Sequence, residues 1–72
     1  MLLEKSQKNK FTLHLHKSLY NERILDRLIK EDKTWIRLLK SGKDHHLLEF
    51  KTSCLNDVLE WANYLFYLNK TA

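Results

Sequence analysis

The sequence predicts a small α+β domain in the order strand, helix, strand, strand, helix. Three observations carry the prediction. Apolar and polar residues alternate over 10–17 and again over 45–51, the two-residue period of a half-buried strand. Apolar residues recur at three- and four-residue spacing over 19–31 and 54–69, the period of an amphipathic helix. The single glycine falls in Ser41-Gly42-Lys43-Asp44, where a hairpin between the second and third strands needs its loop.

Each element has its own reason. Residues 1–9 turn polar after Leu3 and show no period, so they are expected to be a flexible lead-in to a single domain over 10–69. In the first strand Phe11, Leu13 and Leu15 share one face, with Thr12, His14 and His16 on the other. Ser18 or, competing with it, Asn21 offers a cap for the first helix. Its stripe is Tyr20, Ile24 and Leu28 with Leu25 and Ile29 beside them, and Glu31-Asp32-Lys33 is a charged break. The second strand, 34–40, sets Ile36 and Leu38 against Trp35, Arg37 and Leu39. The third, 45–51, sets His46, Leu48 and Phe50 against His45, Leu47, Glu49 and Lys51. Thr52 or Ser53 can cap the last helix.

The economical assembly is a three-stranded sheet of order 1-3-2 with both helices on one face, since strand crossovers are right-handed and the last two strands form a hairpin. It resembles the ferredoxin-like plan with its last strand missing, a truncated ferredoxin-like sheet. The first strand would then be an open edge, and an open edge is a template for pairing with another chain.

Composition limits what such a domain does. Seventy-two residues allow one small domain, and one cysteine cannot make an internal disulfide. Met1-Leu2-Leu3 is followed at once by Glu4 and Lys5, and no apolar run reaches 18 residues, so a cytoplasmic, soluble chain without a membrane partner is expected. With 43% hydrophobic and 31% charged residues the chain is of folded type. Its net charge of +4, from 13 basic and 9 acidic residues, is modest. A single core of this size supplies about 3–5 kcal/mol, which favours self-association or a place in a larger complex.

No reaction is legible. His14 and His16 share a strand face that His45 can join, a spacing zinc could use, but no cysteine pair or carboxylate completes the set, and a His-rich solvated face explains it. Cys54 near a helix start could be a nucleophile; with no base or oxyanion site indicated, it reads as a small buried residue. Glu31-Asp32 and Asp57-Glu60 have charged or capping contexts, and one glycine cannot build a phosphate loop. A non-enzyme without metal or cofactor is therefore expected.

Two binding modes remain. Leu55, Val58, Leu59, Ala62 and Phe66 make the core stripe of the last helix, while Trp61, Tyr64, Leu65 and Leu68 add a second apolar stripe. The two together exceed what a surface helix needs. Protein binding is therefore expected through the edge at Thr12, His14 and His16 and through Trp61, Tyr64 and Leu68. The alternative is a nucleic-acid-binding domain that uses Trp35, Arg37 and Lys51 on the open sheet face.

Two local strings are family-like. Ser18-Leu19-Tyr20-Asn21-Glu22 resembles the "LYS-x-E" helix start of the HxsD-like family, and Glu60-Trp61-Ala62-Asn63-Tyr64-Leu65 resembles that family's "E-F-x-N-Y-[LV]" stretch. That resemblance implies an accessory protein of His-Xaa-Ser peptide maturation, encoded beside radical SAM enzymes. Asn63-Tyr64-Leu65 is also similar to a string in the small dimerising subunit of the KEOPS tRNA-modifying complex. Both resemblances imply a non-catalytic, partner-binding module.

Overall fold

The computed structural model describes residues 2–71, which form an α+β fold of four strands and two α-helices. Their order is β1 (Leu2–Gln7), β2 (Lys10–His16), α1 (Glu22–Glu31), β3 (Ile36–Ser41), β4 (His45–Phe50) and α2 (Leu55–Thr71). The sheet is antiparallel throughout, in the order β1-β2-β4-β3. It therefore has four strands, not three.

The added strand comes from the expected lead-in. Leu2–Gln7 folds back through Lys8 and Asn9 and pairs with β2, Leu3 opposite Leu13 and Lys5 opposite Phe11; Met1 lies outside the described residues. Five of the six β1 residues are exposed, which is why no apolar period announced a strand. β1 covers the edge that a ferredoxin-like plan would cover with its last strand. The open edge expected along residues 11–16 is corrected accordingly: as folded, β2 is an inner strand, hydrogen-bonded to β1 on one side and β4 on the other.

Local chemistry sets the helix ends. Asn21, the competing cap, starts α1: its Oδ1 accepts from the Arg23 N–H at 2.8 Å. Ser18 instead bonds to His16, its hydroxyl 2.8 Å from Nδ1, within the 3-10 turn Lys17–Leu19. The Asp32 N–H closes α1 on the Leu28 carbonyl. Before α2, Thr52 Oγ1 accepts from the Cys54 N–H and donates to Asp57.

One core joins the layers. Phe11, Leu13 and Leu15 of β2 meet Leu48 and Phe50 of β4 and Ile36 of β3 on a single face of the sheet. Leu25 and Leu28 of α1 and Val58, Trp61, Ala62 and Leu65 of α2 cover that face. The other face is open.

Candidate partner-binding surfaces

The last helix is rolled relative to the expected stripe. Its buried residues are Val58, Trp61, Ala62 and Leu65, so Leu55, Leu59 and Phe66 move from the core to one flank. Trp61 causes the shift. Only 5% exposed, it sets its ring edge against Phe50 at 5.2 Å between centroids and donates from Nε1 to Asp32 Oδ2 at 3.2 Å. Trp61 is thus a core residue and not part of a docking surface. Tyr64 is 51% exposed, Leu68 is half-buried against the core, and Tyr67 is 61% exposed beside Tyr64. Sequence reasoning missed Leu55, Leu59 and Tyr67 as surface residues. Their signal was present in the total: α2 carries more apolar positions than one buried stripe can use.

A depression of about 440 Å³ lies at the C-terminal end of this helix, between Leu19, Phe66, Asn69 and Lys70. Asn69 anchors it, with Oδ1 accepting the Asn21 N–H and Nδ2 donating to the Leu65 carbonyl. Near the same end His46 is buried on the helix side, its Nε2 3.6 Å from Glu22 and its ring 6.0 Å from that of Tyr20. Its Nδ1 and the Tyr20 hydroxyl have no hydrogen-bond partner among the described residues. Burial first, then the Glu22 and Asp26 carboxylates, push the Tyr20 phenol up to about 12.

On the open face His14, His16 and His45 do come together, around a shallow depression of about 290 Å³ that Leu2 completes. His16 is opposite His45 in the ladder, and the His14 and His45 rings are 5.9 Å apart. Among the described residues no three ligand-type side chains are placed to hold a metal.

Of the residues named for nucleic acid, Trp35 leaves the open face. Trp35 precedes β3 and turns to the core side, 5.7 Å from Phe50; it does not share the open face with Arg37. Arg37 is held by Glu49, its opposite in the ladder, at 2.9 Å from Nε to Oε1. Glu49 is 7% exposed, so the pair is a buried carboxylate closed by a partly exposed guanidinium. Lys51 is exposed, and its N–H donates to the Trp35 carbonyl. Cys54 is exposed as well, against the buried position expected for it.

No family model matches the chain, and no curated protein or solved structure is significantly similar to it. Among the described residues no helix is long and apolar enough to cross a membrane.

Proposed function

We propose that the chain is a non-catalytic protein-protein interaction module, a homodimer or a subunit of a larger assembly, that docks through the outer face of α2. One observation carries the reading: Tyr64 and Tyr67 of this helix are 51% and 61% exposed, with Leu55 and Leu59 exposed along its other flank, while the core is complete without them. Large tyrosines supply contact area with a polar tip, the chemistry that interfaces favour. The small size of the core argues the same way, since a partner adds buried area that the monomer lacks. Both family resemblances are to non-catalytic, partner-binding proteins. The nucleic-acid alternative has less support on the open face, because the Trp35 ring it would stack with turns to the core side.

The test is solution mass by light scattering, with circular dichroism as the control for folding. Tyr64→Glu with Tyr67→Lys is expected to keep the helical signal and convert an oligomer to monomer, since interface aromatics commonly carry about 2 kcal/mol or more each. A folded double variant of unchanged mass would remove this face from the interface.

A further inference from the structure

β1 buries less of itself than any other strand. None of its residues belongs to the core, and only Leu3 is half-buried, whereas β2 buries Phe11, Leu13 and Leu15. Two β1 positions face the helix side of the sheet: Leu3 opposite Leu13 and Lys5 opposite Phe11. A charged, exposed side chain therefore stands where an apolar one would extend the core. The ladder is irregular between Lys5 and Gln7, and only Lys8 and Asn9 join β1 to β2. A strand with few apolar contacts and exposed backbone hydrogen bonds opens locally at low cost. Once lifted, β1 uncovers the N–H and C=O row of β2, beside three buried apolar residues.

We propose that β1 is a displaceable cover and that the β2 edge beneath it docks an extended segment of another protein. That segment takes β1's place as a strand, with apolar residues opposite both Leu13 and Phe11. The mismatch at Lys5 selects the occupant. A second copy offers only the same Leu3 and Lys5, so exchanging β1 between copies gains no contact that the single chain lacks. A foreign strand with an apolar residue at Lys5's position gains the contact that β1 withholds. This site uses no residue of α2 and stands whether or not that helix docks a partner.

The probe is a synthetic peptide of residues 1–9 carrying Lys5→Val, with the unaltered peptide as reference, added to the full chain. The Val peptide is expected to shift the β2 amide resonances and release the chain's own β1 from exchange protection. It should bind about tenfold or more tightly than the reference, the gain expected from burying one valine side chain. Within the chain, Lys5→Val should tighten the cover and weaken peptide binding severalfold, while Leu3→Ala should loosen it and strengthen binding. Both variants keep the core intact, because β1 contributes no core residue. Equal binding to all three chains, binding that leaves β2 undisturbed, or β1 amides protected as well as those of β4 would each overturn the proposal. Dimers of the Leu3→Ala chain formed by β1 exchange would overturn the assignment to a foreign strand.

Discussion

Replacing Trp61 tests how α2 is seated. The ring is 5% exposed, meets Phe50 edge-on at 5.2 Å, and donates to Asp32 across 29 residues of chain. Trp61→Ala removes a buried aromatic, at a cost of about 3–5 kcal/mol. The whole domain holds a margin of about 3–5 kcal/mol, so this variant is expected to be largely unfolded in water. Trp61→Phe separates the two contributions. It keeps an aromatic against Phe50 but removes the indole N–H, whose bond to a carboxylate contributes about 1–2 kcal/mol. For a domain of this length that corresponds to a fall of roughly 5–15 °C in Tm. Urea titration followed by far-ultraviolet circular dichroism reads both variants, and a cycle with Asp32→Ala isolates the pair. A Trp61→Ala chain that folds with an unchanged midpoint would refute the core position of Trp61. A Trp61→Phe loss undiminished in the Asp32→Ala background would refute the hydrogen bond's share.

Three further outcomes are expected. The Tyr20 phenol is pushed up to about 12 in the fold and ionises near 10 when unfolded, so stability present below about pH 10 should decline as pH rises towards 12. Tyr20→Phe should flatten that decline and match or exceed the parent at pH 7, because it removes a buried hydroxyl that has no partner among the described residues; chemical denaturation across pH checks both. Arg37→Ala leaves the buried Glu49 carboxylate unpaired and should cost about 1–3 kcal/mol in the same titration, most of it recovered when Glu49→Val is added. Stoichiometric zinc or a chelator should leave Tm unchanged, whereas an upward shift with zinc would assign a metal to His14, His16 and His45.

What the sequence could express depended on whether a residue's environment is local. The alternation in 10–16 and 45–50 marks strands whose inward residues are buried, and the loop at Gly42 separates the two hairpin strands. β1 was illegible because it sits at the sheet's edge with almost nothing buried, so its pairing writes no period into Leu2–Gln7. The roll of α2 was illegible for the opposite reason. Two apolar stripes of similar strength compete on that helix, and the choice is made by Phe50 and Asp32, both distant in sequence. Trp35 followed the same logic, with alternation placing it outward and Phe50 drawing it in. The histidine cluster was legible, since i and i+2 on one strand and a cross-strand neighbour need only register.

The position of β4 bears on the order in which the chain can assemble while it is being made. β4 is the sole ladder partner of β3 and the inner neighbour of β2, yet it follows both in the chain. As the polypeptide leaves the ribosome, β1 and β2 can pair as soon as they emerge, but an isolated hairpin is at best marginally stable. β2 must then wait through the synthesis of residues 17–44 for its second ladder neighbour, and longer for α2, while α1 emerges within that stretch to cover part of its apolar row. During that interval β1 is the ladder partner that occupies one edge of a strand prone to pair with whatever is nearby. The least buried strand of the finished domain is thus the one in place earliest beside the β2 edge, ahead of both the inner strand β4 and the last helix.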